Sequence, residues 1–178
     1  VATTPSRDSA IRRVHDLIKD INIAMLTTSR PDGTLHSRPM ATQQTQFDGE
    51  LWFFTAEDSL KVDETQQRPA VNVSYADAGH NRYVSVSGRG TLVHDRKMAE
   101  ELWNPMYKAW FPKGLDDPQL ALLRVDVEEA EYWDAPSSAM VHVVGFVKAI
   151  LTGKQYAPGE HATISMGAAN PAPPTTPA

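Results

Sequence analysis

Residues 35–61 read LHSRPMATQQTQFDGELWFFTAEDSLK. This stretch is expected to form two strands, a tight turn and the start of a helix. The first strand runs over residues 35–47, and the turn is Asp48-Gly49, a dipeptide that supplies positive φ in two-residue hairpins. The second strand, Leu51-Trp52-Phe53-Phe54, is apolar at consecutive positions, so both of its faces should be covered, with Trp52 in the core. Within the first strand, Arg38-Pro39-Met40 carries a proline. Proline has no N–H for the ladder, so it belongs at an edge or a bulge, where backbone groups are left for a ligand.

Four groups on this stretch suit a phosphate: Arg38, Thr55, Ser59 and Lys61. A phosphate takes several N–H and hydroxyl donors with one or two cations, best at a helix N-terminus where the dipole favours an anion. Thr55 ends a strand, Ser59 stands at the helix start and Lys61 lies just inside it, with Arg38 on the neighbouring strand. Taken singly, Arg38 reads first as a surface ion pair with a carboxylate, and Lys61 equally as a solvated helix lysine.

Outward from the hairpin, residues 6–20 have Ile11, Val14, Leu17, Ile18 and Ile21 at helical spacing, with His15 at the margin of the stripe. Residues 22–29 alternate as a strand ending at the turn Arg30-Pro31-Asp32-Gly33. Residues 58–67 form a short helix stopped by Arg68-Pro69, and residues 70–77 a half-buried strand. Residues 82–94 are a further strand that Gly88 and Gly90 should bend. Residues 96–103 make a turn or two of helix, and residues 120–133 the last long strand. A nearly all-round apolar helix is expected over 138–151, buried in the core or against a second subunit. Short strands separated by glycine and proline turns point to a small antiparallel barrel with peripheral helices. It would be one domain over 6–155, with a disordered proline-rich tail at 166–178.

Composition removes several function classes. The 178 residues carry a formal charge of -5, which argues against nucleic acid as the main partner. With no cysteine, disulfides and thiolate chemistry are excluded, and a reducing compartment is tolerable. The first residues, VATTPSRDSAIRR, lack the apolar core of a secretory signal, and no stretch is apolar for the about 18 residues that span a bilayer. A cytoplasmic protein is expected. The six histidines show no close pairing that would mark a metal site. Gly88-Arg89-Gly90 falls short of a dinucleotide fingerprint, and Glu128, Glu129 and Glu131 read as a solvated strand edge. Trp110-Phe111, in a proline-flanked connection, suits a lid or a dimer contact.

These segments in succession resemble the general stress protein branch of the pyridoxamine 5'-phosphate oxidase-like, FMN-binding split-barrel family. The resemblance is carried by Ala24-Met25-Leu26-Thr27-Thr28, His36-Ser37-Arg38-Pro39-Met40, and Trp52-Phe53-Phe54-Thr55 with Ser59 and Lys61. Val71-Asn72-Val73-Ser74-Tyr75, Trp110-Phe111-Pro112, Asp117-Pro118 and Glu131-Tyr132-Trp133-Asp134 continue it. It implies a mainly β split barrel that forms a homodimer with FMN at the subunit interface. Arg38 and Lys61 would bind the phosphate with Ser59 and Thr55, and Pro39, Met40 and Phe54 would border the ring. Trp110 and Phe111 would close the site from the other subunit. It further implies a flavin-dependent oxidoreductase acting on a small molecule, a non-catalytic FMN carrier or sensor, or a true pyridoxamine phosphate oxidase. The last would take arginine and histidine from the C-terminal segment, yet no arginine follows Arg124.

Overall fold

A computed structural model of the chain describes residues 7–43, 45, 47–134 and 160–165. The helix expected over 138–151 and the tail at 166–178 lie outside the described residues. The element order is α1 (Arg7–Ile18), β1 (Ile23–Ser29), β2 (Leu35–Ala41), β3 (Glu50–Ala56), α2 (Leu60–Gln67), β4 (Ala70–Asp77), β5 (Arg82–Val93) and α3 (Arg96–Leu102). Two 3-10 turns, Pro105–Ala109 and Gly114–Asp116, then lead to β6 (Leu120–Asp134) and β7 (Glu160–Ser165). The elements expected from sequence are found within a residue or two where the structure describes them, except that β2 ends at Ala41, well short of residue 47. β7 was not foreseen.

All strands join one antiparallel sheet in the order β2-β1-β4-β5-β6-β3, and β7 pairs with β6 beyond the end of β3. The expected β2–β3 hairpin does not form. β2 pairs with β1, whereas β3 pairs with β6, so the two strands occupy opposite ends of the sheet. The link between them is pinned elsewhere. The Thr42 N–H donates to the Asn22 carbonyl, its hydroxyl to the Ile21 carbonyl, and the Phe47 N–H to His15 Nδ1. Phe47 itself is buried, so this link serves core packing rather than a ladder. Gly49 keeps the positive φ that its sequence suggested, at 115°, while its carbonyl accepts from the Val127 N–H.

The sheet curls until its two ends face each other. A bulge at Ser87/Gly88, where the β5–β6 register shifts, contributes to the bend. The position demands glycine: a Cβ there would lie 2.3 Å from the Asp126 backbone oxygen. Inside the curl sit Leu26, Phe53, Val73, Val86, Leu123 and Val125, and α1 closes one side with Val14, Leu17 and Ile18. A fully buried side chain of this kind is worth about 1.5–3 kcal/mol. β3 alternates strictly: Leu51, Phe53 and Thr55 are buried, while Trp52 and Phe54 are only half covered. Trp52 is therefore not a core residue; its ring lies under the Arg124 guanidinium, 5.9 Å from centroid to Cζ. Glu129 and Glu131 do not lie on an edge either, because they pair with β5 on one side and β7 on the other, while the exposed Glu128 falls at the bulge between the β3 and β7 pairings.

Candidate functional site

The facing ends of the sheet leave a cleft of about 420 Å³ between β2 and β3. Pro39, Met40 and Ala41 form one wall and Phe54, Thr55 and Ala56 the other. Both strands are ladder-bonded along one edge only among the described residues, so each has backbone groups to offer inward. Tyr107, Trp110 and Phe111 line it from the segment after α3, and Lys61 stands at its floor in the first turn of α2.

Lys61 is the only charged residue in this lining, it is half-buried, and its ammonium has no hydrogen-bond or ion-pair partner among the described residues. Burial, and secondarily the positive charge of Arg38, holds its pKa below the usual lysine range. Both causes would be offset by an anion in the cleft. Ser59 is the N-cap of α2 without a side-chain cap bond; its hydroxyl lies 3.2 Å from that of Thr55. The two hydroxyls thus sit together beside the first turn of the helix.

Arg38 is placed differently from Lys61. Its side chain turns under α2, where Nη2 is 2.6 Å from Glu64 Oε2 and 2.8 Å from His36 Nδ1, and Nη1 donates to the Thr28 hydroxyl at 2.6 Å. Arg30 adds a bond to Glu64 at 3.4 Å and one to His36 Nδ1 at 3.0 Å. Since a guanidinium can only donate, two of them converging on Nδ1 require that atom to be an acceptor. Glu64 is 6% exposed. Burial opposes its ionisation, yet hydrogen bonds from Thr28 and Arg38, and the charge of Arg38, outweigh that cost and hold its carboxyl below the usual glutamate range. Arg38 therefore has few N–H groups left for a ligand: Nη2 is spent on Glu64 and His36.

Seven of the nine sequence-predicted site residues line the cleft together: Pro39, Met40, Phe54, Thr55, Lys61, Trp110 and Phe111. Ser59 adjoins it through Thr55, and Arg38 lies behind Lys61. Phe111 is buried within its own chain, 6.5 Å from the Phe54 ring between centroids, rather than held out as a lid; Trp110 remains 71% exposed. Sequence reasoning missed Glu64, Tyr107 and Gln43. Glu64 had a signal, three residues after Lys61 on a predicted helix and hence on the same face. Tyr107, whose ring lies 4.7 Å from that of Phe54, was passed over within an aromatic segment. Gln43 had none.

A curled antiparallel sheet whose free ends close on a lysine-floored cleft defines a class, and the comparisons agree. Residues 9–157 match the family described as pyridoxamine 5'-phosphate oxidase like, and the chain belongs to that family, with its split-barrel fold. Its relatives place it in the general stress protein branch. It is 32% identical to the general stress FMN/FAD binding protein of Xanthomonas citri, with a TM-score of 0.64 over 74% of this chain and 92% of that one. A protein assigned as general stress protein 26 from Jannaschia sp. CCS1 gives a TM-score of 0.70 at 25% identity, covering 89% of this chain and 99% of its own. Protein bli-3 of Neurospora crassa is 29% identical over 157 residues, 83% of this chain and 75% of bli-3. Among the described residues no helix is long and apolar enough to cross a membrane, and no group of His, Cys, Asp or Glu could hold a metal ion.

Proposed function

We propose that this chain binds a flavin, FMN, in the cleft between β2 and β3, and acts as a flavin-dependent oxidoreductase on a small molecule. The observation that carries the reading is Lys61: a half-buried ammonium without a counter-ion among the described residues, at a helix N-terminus, on the floor of an otherwise uncharged cleft. One such cation with two adjacent hydroxyls suits one terminal phosphate. The cleft volume falls within the roughly 300–1,000 Å³ of small-molecule sites, and its aromatic and strand-edge walls suit a flat ring system with polar edges.

In this reading Lys61, Ser59 and Thr55 hold the phosphate, and Arg38, bonded to Glu64, adds positive potential from behind Lys61. Pro39, Met40 and Phe54 border the ring, with Trp110 and Phe111 above it. The flavin would supply the electron or hydride transfer, and the protein binding, orientation and electrostatics. Among the described residues the lining holds no carboxylate, imidazole or thiol, which leaves the Lys61 ammonium as its one charged group. Lys61 is the lone cation of the cleft among the described residues, which matches the charge of one phosphate.

A homodimer is part of the proposal. Ile23, Met25, Leu35, Tyr83 and Trp133 share the outer face of the sheet by register and are each at least 40% exposed, an apolar area suited to a second copy. The cytoplasm is the compartment proposed, consistent with a chain that has no cysteine. The test is direct. The purified protein, or the protein after FMN addition, should show flavin absorbance that NADH or NADPH bleaches without air. Failure to take up FMN would end the flavin reading. Uptake with no reduction by any biological donor would leave a carrier or sensor.

A further inference from the structure

The cleft between β2 and β3 shares a wall with a larger cavity of opposite electrical character. The two have Ile23, Ala41, Gln43, Tyr107 and Trp110 in common. Between them stands a side-chain pair, Gln43 Nε2 donating to Tyr107 Oη at 3.1 Å, with the Tyr107 hydroxyl 3.3 Å from Gln43 Oε1. The larger cavity, about 840 Å³, is walled by the rings of Trp52, Trp103, Tyr107 and Trp110. Among the described residues its charged lining is Asp48 and Glu101, with no lysine, arginine or histidine. One cavity thus carries a lone ammonium, and its neighbour carries two carboxylates among aromatic rings.

We propose that the larger cavity is a second ligand subsite, and that it takes a planar organic cation of the N-alkylpyridinium class. Ring faces carry negative potential and attract a flat cation, and carboxylates at the rim reinforce the same choice while repelling an anion. Trp52 already shows the geometry, with the Arg124 guanidinium over its ring. Arg124 does not reverse the sign of the cavity, since it is held by Asp126 at 3.1 Å and Glu50 at 3.9 Å. Lys97 approaches Glu101 at 3.8 Å with 88% and 55% of the two side chains exposed, so water screens Glu101 toward Lys97 and toward the cavity alike and the rings carry the larger part of the choice. That the cation sits beside a flavin, across Gln43 and Tyr107, rests on the flavin reading. The preference for a cation does not.

The experiment uses the full chain and two pyridine-ring probes of similar size and opposite charge, 1-methylnicotinamide and nicotinate, titrated by calorimetry with and without FMN. The cation is expected to bind at least tenfold more tightly. The doubly neutralised variant Asp48→Asn/Glu101→Gln should reduce the preference below threefold, with unchanged FMN affinity and melting temperature. The carboxamide introduced by Asp48→Asn still offers an oxygen to the Glu50 N–H, so the turn survives the change. Equal binding of the two probes, no saturable binding of the cation, or a preference untouched in the double variant would each overturn the assignment. A chain that takes no FMN yet keeps the cation preference would sink the flavin reading alone, and the converse would sink only the subsite.

Discussion

Replacing Arg38 with alanine separates structural from ligand-binding roles at the centre of this fold. The side chain makes three short bonds, to Glu64, Thr28 and His36, and is 15% exposed against 6% for Glu64, so little solvent screens the pair. Removing one member of a buried pair typically costs about 3–5 kcal/mol, because the other charge stays behind unpaired. Here Thr28 and Arg30 still reach Glu64, and Arg30 is 43% exposed and can adjust. The low end, about 3 kcal/mol, is therefore expected, a fall of roughly 6–12 °C in melting temperature at 2–4 °C per kcal/mol for a domain of this size. Its pH dependence has a fixed sign. Glu64 has a depressed folded pKa, so its contribution is complete above the ordinary value of 4.5 and is lost as pH falls through the folded value. The deficit of Arg38→Ala should thus be large at pH 7 and shrink below 4.5, once protonation leaves no carboxylate to orphan. Urea unfolding of both proteins at the two pH values measures it. A deficit under about 1 kcal/mol at pH 7, or one that is equal at both pH values, would refute the assignment of Arg38 to Glu64.

Lys61→Ala should leave folding intact and weaken FMN by roughly ten- to a hundred-fold, the equivalent of the about 1.5–3 kcal/mol of a charge-assisted bond, read by flavin fluorescence. FMN affinity of the native protein should also fall as pH rises: an anion raises the pKa of Lys61 from its depressed value, so binding takes up a proton across that interval and weakens above it, a trend a titration series from neutral pH to about 10.5 would reveal. Gly88→Ala forces a Cβ against the Asp126 backbone and should cost about 1–3 kcal/mol in urea unfolding, more than a surface change allows. Trp110→Leu, at an exposed position, should shift stability by no more than about 0.5 kcal/mol while loosening FMN severalfold, a split that melting and fluorescence together resolve.

What could be read from the chain was what each stretch decides for itself. The alternation of Val71, Val73 and Tyr75 put β4 in place, and the spacing of Val14, Leu17 and Ile18 did the same for α1. Pairing was harder. Asp48-Gly49 signals a reversal of direction but not which strand the chain then joins, and β3 found the distant β6 rather than β2. The run Leu51-Trp52-Phe53-Phe54 is apolar throughout, so composition could not say that Trp52 looks outward; only the pleat decided. At the site, the cleft walls were legible because they sit on two strand ends and one aromatic connection. The partner of Arg38 was not, since Glu64 reaches it only after α2 has packed beneath the sheet.

β2 and β3 are consecutive in sequence yet stand at the two extremes of the sheet, joined only by residues 42–49. Among the described residues that tether contributes no rung to any ladder, and its Gln43 lines the cleft. Its fastenings at Thr42, Phe47 and Gly49 tie its ends to Asn22, His15 and Val127. A change of length between those fastenings would alter the wall that Gln43 supplies and leave every strand in register. Descendants of this chain could therefore change the size of molecule they admit through one short loop, without redesigning the barrel that carries it.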